Sequence, residues 1–213
     1  MHESFMNRER KAEFNKEIIL NAAEELFHQK GFENTKIDEI AKKSEFSKAT
    51  IYSYFNSKEE LLDRLLHKEL QKIIKKIEDI LKMKLHQGEY FISICNIFLN
   101  FYEQNKVCFE RMLQPFSKDY NEHTSILYKQ IANDSKKINS ILYDALKNFG
   151  ITQFFKGENP DKASFFLWSS VMGIIQVSKN KEELIKMLYG ISTQEFIDYS
   201  FKQLYIAASG NKI

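Results

Sequence analysis

Glycine and proline are scarce in this chain, so the sequence has few points at which a helix must end. Only 7 glycines and 2 prolines occur among 213 residues, and we therefore expect a fold built mostly of helices. No apolar run reaches the roughly 20 residues of a membrane-spanning helix, and the N-terminus lacks the apolar stretch of a secretion signal. The sequence predicts a cytoplasmic protein with no membrane partner.

Cysteine is also rare, and histidine forms no recognisable pattern. Cys95 and Cys108 lie among aliphatic and aromatic neighbours without a CxxC spacing, which favours two buried thiols over a redox pair. The five histidines are scattered, and the sequence contains neither HExxH nor a glycine-rich phosphate loop. We therefore expect no enzyme: no catalytic residue, no metal site and no cofactor.

The net charge of +2 is too small to indicate a nucleic-acid partner by itself. The distribution of charge is more informative, because the lysines between positions 42 and 58 face a single acid, Glu45. These lysines are Lys42, Lys43, Lys48 and Lys58. Since so weak a total charge gives little non-specific attraction, tight DNA binding would need well-placed contacts and two copies acting together.

Apolar residues at helical spacing predict two helices in the first 45 residues. The first covers about 13–29, and Lys30 with Gly31 ends it as a basic last turn followed by a left-handed cap. Thr35 is the predicted N-cap of the second helix, with Asp38 completing a capping box.

A short third helix is predicted over 48–55, after a turn at 44–46. Ser47 is its N-cap. Ile51 and Phe55 lie four residues apart and should point inward. The remaining side chains of this short helix are left on its outer side: Lys48, Ala49, Thr50, Tyr52 and Ser53.

The fourth helix begins at a second capping box, Ser57 to Glu60, and is predicted over about 58–86. Further helices are predicted over about 89–105, 107–113, 118–149, 160–178 and 193–208. The predicted fold is all-α, with a three-helix helix-turn-helix head at 1–58 and a helical body at 59–213. About nine helices are expected in total, and the fourth connects the head to the body.

Several of these residues occur in the pattern of a known family. They are Gly31-Phe32, Thr35, Ile40-Ala41, the run SKATIYSYF at 47–55 and the run KEEL at 58–61. The first quarter of the chain therefore resembles the TetR (tetracycline repressor) family of bacterial transcription regulators. Two positions depart from the family's pattern: Glu45 stands where glycine is usual, at about 1 kcal/mol of strain in a left-handed turn, and Lys36 replaces a threonine.

The resemblance implies double-stranded DNA as a partner. The implied DNA-binding residues are Thr35, Lys36, Ser47, Lys48, Ala49, Thr50, Tyr52, Ser53, Tyr54 and Lys58. Hydroxyl and ammonium groups should contact phosphates, and this set comprises Thr35, Lys36, Tyr52, Tyr54 and Lys58. Base edges should be read by Lys48, Ala49, Thr50 and Ser53. The basic stretch of Arg8, Arg10 and Lys11 is either an arm along the DNA backbone or a solvated tail.

The resemblance also implies a homodimer and a small-molecule effector. The apolar helices at about 161–178 and 193–208 are the expected dimer interface, although the first could instead be the core of a monomer. The pocket residues we expect are Phe98, Tyr102, Met112, Phe116, Tyr128, Trp168, Met172 and Gln176. Aromatic residues at this spacing are equally typical of a core.

The function we predict is a sequence-specific, ligand-responsive repressor. It should bind a palindromic operator as a dimer and be released by a small apolar or aromatic effector. The alternative is a helical interaction or lipid-binding protein in which the first 60 residues serve only for packing.

Overall fold

The all-α prediction is confirmed by the computed structural model, which describes residues 2–115, 122–148 and 160–209. Ten helices and no strand occur within these ranges. The helices are α1 (His2–Lys30), α2 (Ile37–Ser44), α3 (Lys48–Tyr54), α4 (Lys58–Leu81), α5 (Gln87–Gln104), α6 (Lys106–Leu113), α7 (Glu122–Asn148), α8 (Pro160–Asn180), α9 (Glu182–Tyr189) and α10 (Thr193–Ser209). None of them is both long and apolar enough to cross a membrane.

Helix α9 is the element that the sequence reasoning missed. It begins with two acids, Glu182 and Glu183, has Lys186 in its last turn, and ends at Gly190 in the left-handed conformation (φ 67°). These are ordinary end signals. Its apolar residues recur at helical spacing, but the helix has only eight residues and only Ile185 is buried along its length.

Helix α1 begins at His2, earlier than the predicted start near residue 13. Arg8, Arg10 and Lys11 belong to this helix, and whether they contact the DNA backbone or only solvent stays a prediction. Helix α4 ends at Leu81, short of the predicted 86. The Gln87-Gly88 pair opens α5, where the His86 N–H donates to Glu89 Oε2 over 2.8 Å.

The helices form two compact units. The first comprises residues 1–69 and 105–131, and the second comprises residues 70–104 and 132–213. Helix α6 thus belongs with α1 to α3. The predicted division at residue 58 stays a prediction about where a DNA-binding segment ends.

The core of the first unit is made by inward-facing residues of α1 to α4. Ile19 and Ala23 of α1, Ile40 of α2 and Ile51 of α3 are all fully buried. Phe55, just after α3, is 1% exposed. Burying α3 on this side leaves its opposite side at the surface.

An ion pair joins α6 to α4, and a hydrogen bond joins the N-cap residue of α6 to α1. Arg111 Nε lies 2.6 Å from Asp63 Oδ1 on α4, and both side chains are largely buried. Burial raises the pKa of Asp63 above its usual value, and the Arg111 guanidinium opposes that rise. Asn105 caps α6 by accepting from the Cys108 N–H, and its amide donates to Glu24 of α1.

The core of the second unit lies among α5, α8 and α10. The rings of Phe91 on α5 and Tyr205 on α10 are 5.7 Å apart. Ile175 of α8 and Phe201 of α10 are fully buried. These three helices therefore pack with a shared apolar interior, and α8 and α10 lie side by side.

Candidate DNA interface and ligand cavity

The turn between α2 and α3 has the geometry of a helix-turn-helix. Glu45 adopts the left-handed conformation (φ 59°, ψ 23°) at the end of α2, and the Phe46 N–H donates to the Ala41 carbonyl over 3.1 Å. Ser47 Oγ then accepts from the Thr50 N–H at 3.0 Å and caps α3. The predictions of a left-handed Glu45 and a capping Ser47 are confirmed.

The outer side of α3 is at the surface. Tyr52 is 48% exposed, and Lys48, Ala49 and Ser53 are also exposed. Ile51 on the opposite side is fully buried. This short helix therefore presents a cation, a phenol, a hydroxyl and a methyl group together, which are groups that suit phosphates and base edges.

An ion pair joins the start of α3 to α2. Lys48 Nζ lies 3.0 Å from Asp38 Oδ1, and the hydrogen bond to this carboxylate raises the pKa of Lys48. Lys48 therefore stays cationic at neutral pH. Both side chains are more than half exposed, so the lysine can exchange this partner for a DNA acceptor at little cost.

The start of α2 differs from the prediction. Lys36, rather than Thr35, occupies the N-cap position, and the Lys36 N–H donates to Glu39 Oε2 over 2.9 Å. The predicted box of Thr35 with Asp38 is wrong, because the Thr35 hydroxyl donates inward to the Gly31 carbonyl at 2.8 Å. Thr35 is 1% exposed, so a phosphate contact by its side chain does not fit this geometry.

Lys58 is also turned inward. Its Nζ donates to the carbonyls of Phe32 at 2.8 Å and Thr35 at 3.1 Å. The same ammonium lies 4.1 Å from the centre of the Phe32 ring. Lys58 therefore fastens the α1–α2 connection to the start of α4, and its predicted phosphate contact does not fit this arrangement either.

The other implied DNA-binding residues lie at or near the surface. Lys36 and Ser47 are exposed, while Thr50 and Tyr54 are half-buried. The hydroxyl of Thr50 lies 2.8 Å from Ser47 Oγ. The Tyr54 hydroxyl accepts from the Asn15 side-chain amide of α1 at 3.1 Å.

An apolar cavity lies inside the second unit. Helices α5 and α8 each supply four residues at i, i+3, i+4 and i+7, and α7 supplies one. These residues are Phe91, Ile94, Cys95, Phe98, Leu142, Ser164, Leu167, Trp168 and Val171. The cavity measures about 40 Å³ on the scale on which one water needs about 10–15 Å³. In this state it holds a few waters at most.

The surface of this cavity is wholly apolar, although Ser164 and Cys95 are among the residues around it. The Ser164 hydroxyl is buried and has no hydrogen-bond partner within the described part of the chain. Burial raises the pKa of the Cys95 thiol, which keeps it neutral and unreactive at physiological pH.

Only Phe98 and Trp168 among the predicted pocket residues line the cavity. Tyr102 and Met172 are buried outside its lining. Met112 and Tyr128 belong to the first unit, and Phe116 lies outside the described residues. Gln176 does not line the cavity, although its Oε1 is buried without a partner among the residues described. The repeated i, i+3, i+4, i+7 spacing along α5 and α8 is the signal that would have identified the missing residues.

Large apolar side chains are exposed on the last three helices of the second unit. Val177 and Phe166 on α8 are 61% and 49% exposed, and Tyr199 on α10 is 58% exposed. On α9, Met187 is 72% exposed. A Cβ added at Gly173, near the middle of α8, would meet nothing within 4 Å. Large exposed apolar side chains on three helices that pack together are typical of a protein contact.

Among the described residues, no group of three or more His, Cys, Asp or Glu side chains could hold a metal ion. The helix-turn-helix therefore remains the most distinctive feature of the chain. A sequence profile described as bacterial regulatory proteins of the tetR family matches residues 19–65, which contain α2, α3 and the start of α4. Over this segment the chain is similar to the TetR family.

Two curated relatives illustrate how far the similarity extends along this chain. The HTH-type transcriptional regulator YhgD of Bacillus subtilis is 36% identical over 70 residues, which cover 33% of this chain and 37% of YhgD. The chain spans about a third of the length of the curated relatives that share this segment. IcaR of Staphylococcus aureus, the negative transcriptional regulator of the biofilm operon icaADBC, is 22% identical over 197 residues, covering 92% of this chain and 90% of IcaR.

A solved structure extends the likeness from this segment to the fold of the chain. FadR of Bacillus subtilis, in complex with stearoyl-CoA, matches with a TM-score of 0.60 and 20% sequence identity. The match covers 91% of this chain and 98% of FadR. At this identity the comparison establishes the shared fold.

Proposed function

We propose that this protein is a sequence-specific DNA-binding transcriptional repressor that acts by binding, not by catalysis. The observation that carries the proposal is the exposed outer side of α3, with Lys48, Ala49, Tyr52 and Ser53 at the surface of a capped helix-turn-helix. A short helix held across another in this way fits the major groove of DNA. Acting on chromosomal DNA, the protein would work in the cytoplasm.

The contacts divide by chemistry. Lys48 donates to guanine acceptors, and the Ala49 methyl meets the methyl group of thymine. Lys36 and Tyr52 contact phosphates, which fix the orientation of the head without reading sequence. Thr35 and Lys58 act indirectly, because their polar groups hold the loop between α1 and α2.

We further propose that the protein works as a homodimer. One α3 helix has only a few base-reading side chains, and two heads about 34–36 Å apart would meet successive major grooves on one face of DNA. The exposed Phe166 and Val177 of α8 and Tyr199 of α10 supply an apolar interface. The open space at Gly173 would let the partner's helix come close.

The effector we propose is an apolar chain or ring. The surface of the cavity is wholly apolar. Because the cavity holds a few waters at most, a ligand must enlarge it by moving α5 and α8 apart. Such a ligand binds the enlarged state more tightly and so shifts the protein toward it. The stearoyl-CoA of the FadR structure makes a long-chain acyl group the first compound to test.

Selection of bound duplexes from a random pool tests the DNA-binding proposal. We expect enrichment of a sequence with two-fold symmetry, and weaker binding of that duplex by Lys48→Ala and Tyr52→Ala. Lys129→Ala is the matched control, since Lys129 is an exposed lysine on α7. Equal affinity of all three variants and the parent would refute the assigned contacts.

The rival function, a helical interaction or lipid-binding protein, gives a different outcome. In that case no duplex would be enriched, and phospholipid vesicles would retain the protein. Adding stearoyl-CoA to the protein–DNA complex tests the effector separately. We expect release of the duplex, and continued binding at saturating ligand would contradict the acyl effector while leaving DNA binding intact.

A further inference from the structure

The N-terminal turns of α1 carry three exposed basic residues, Arg8, Arg10 and Lys11. None of them forms an ion pair within the described part of the chain. They belong to a helix that continues without a break to Lys30, so their directions are fixed relative to the first unit. A fixed, unpaired cation is better suited to a specific partner than one on a flexible tail, because less conformational entropy is lost on binding.

One side of α1 is held against the end of α3. The Asn15 side-chain amide donates to the Tyr54 hydroxyl over 3.1 Å. Tyr54 is the last residue of α3, and it is half-buried. Asn15 therefore marks the side of α1 that adjoins the proposed DNA interface.

Helical geometry places two of the three cations on that same side. At 3.6 residues per turn, Arg8 lies about 20° and Lys11 about 40° from Asn15 around the helix axis. Arg10 lies about 140° away, on the far side. The acids Glu9 and Glu13 lie about 120° and 160° from Asn15, and Glu13 is paired with Lys16. The side next to α3 is therefore basic and free of acids in these turns.

We infer that Arg8 and Lys11 form a second DNA-contact surface, which binds the phosphate backbone beside the groove that α3 enters. This inference rests on the proposed DNA-binding function. Lys11 lies about 6 Å and Arg8 about 10 Å from Asn15 along the helix axis. Their side chains thus continue the interface outward from the end of α3, where phosphates line the groove. These contacts add affinity and fix the angle of the head without reading bases.

The dependence of DNA affinity on salt tests this surface. Each phosphate contact contributes about −0.9 to the slope of log K against log salt concentration. Because each substitution removes one phosphate contact from each of the two subunits, we expect Arg8→Gln and Lys11→Gln each to reduce the magnitude of that slope by about 1.8 on the selected duplex. Arg10→Gln makes the same change of charge on the far side and should leave the slope at the parent's value. Circular dichroism establishes that every variant keeps its helix content.

The outcomes separate this inference from the proposed function. If Arg8→Gln and Lys11→Gln alter the slope no more than Arg10→Gln, while the parent binds its selected duplex, the surface is refuted and the regulator stands. If the parent enriches no duplex, both proposals fall. A duplex trimmed of its flanking base pairs gives a second readout, since the parent should then show the reduced slope of the two variants.

Discussion

Lys58 provides a stringent test of the structure, because its position there conflicts with the phosphate contact implied by the sequence. Replacing it with methionine keeps the apolar stem and removes the ammonium. Two hydrogen bonds are lost, to the carbonyls of Phe32 and Thr35, together with the contact to the Phe32 ring. A hydrogen bond from a charged donor contributes about 1.5–3 kcal/mol.

The expected loss of stability follows from these contacts. Because Lys58 is only half-buried, water replaces part of each bond, and we expect Lys58→Met to lower the free energy of unfolding by about 2 kcal/mol. For a chain of this size that corresponds to a fall in Tm of about 4–8 °C. Thermal and urea unfolding measure the change, and Lys42→Met provides an exposed control on α2.

DNA binding by the same variant separates the two roles. If Lys58 holds the loop, the salt dependence of DNA affinity keeps its slope while stability falls. If Lys58 leaves the loop carbonyls and binds phosphate, stability stays unchanged and the slope loses about 1.8 in magnitude, one contact from each of the two subunits. That second result would refute the inward-facing lysine.

Three further predictions concern other parts of the molecule. Glu45→Gly should raise the free energy of unfolding by up to about 1 kcal/mol, and with it the urea midpoint, because glycine adopts the left-handed turn without strain. A lower midpoint would contradict the strain at φ 59°. Since burial raises the pKa of Asp63 in the folded protein, the native state binds its proton more tightly than the unfolded chain, and stability should fall as pH rises above about 4. The free energy of unfolding of the parent minus that of Asp63→Asn, measured against pH, reveals this dependence. If the parent gained stability relative to the variant as pH rises, the sign would be wrong. Val177→Lys should convert the dimer to monomers in analytical ultracentrifugation without loss of helix content, and an unchanged mass would exclude α8 from the interface.

Local signals in the sequence were sufficient for much of the head. Ser47 caps α3 as predicted, and the box of Ser192 with Glu195 opens α10 with both reciprocal hydrogen bonds. These motifs act over three residues, so a linear sequence contains all of their chemistry. The left-handed turn at Glu45 was predictable for the same reason.

Contacts between distant residues were not predictable in this way. Lys58 donates to carbonyls 26 and 23 residues earlier in the chain. No periodic pattern in the sequence indicates which loop carbonyls a lysine side chain will contact. The local sequence predicts Thr35 as an N-cap, yet its hydroxyl donates to the carbonyls of Leu26 and Gly31 at the end of α1. Here tertiary packing overrode a favourable local motif.

The cavity was predicted only in part because the sequence does not show which helices face one another. Phe98 and Trp168 lie on the correct sides of α5 and α8, and the smaller Cys95 and Ser164 lie beside them. Met112 and Tyr128 were predicted on helices expected to face the others, but the structure groups both residues with the first unit. The spacing within each helix was in the sequence, but the pairing of α5 with α8 was not.

The central claim is that two copies of α3 read DNA together, and the spacing of the two half-sites in the selected duplex tests it most directly. Inserting five base pairs between the half-sites turns one of them by about half a helical turn, to the opposite face of the DNA. The account predicts that affinity falls to that of a single half-site, and that inserting a full turn restores part of it. Unchanged affinity for the half-turn insertion would contradict the paired heads.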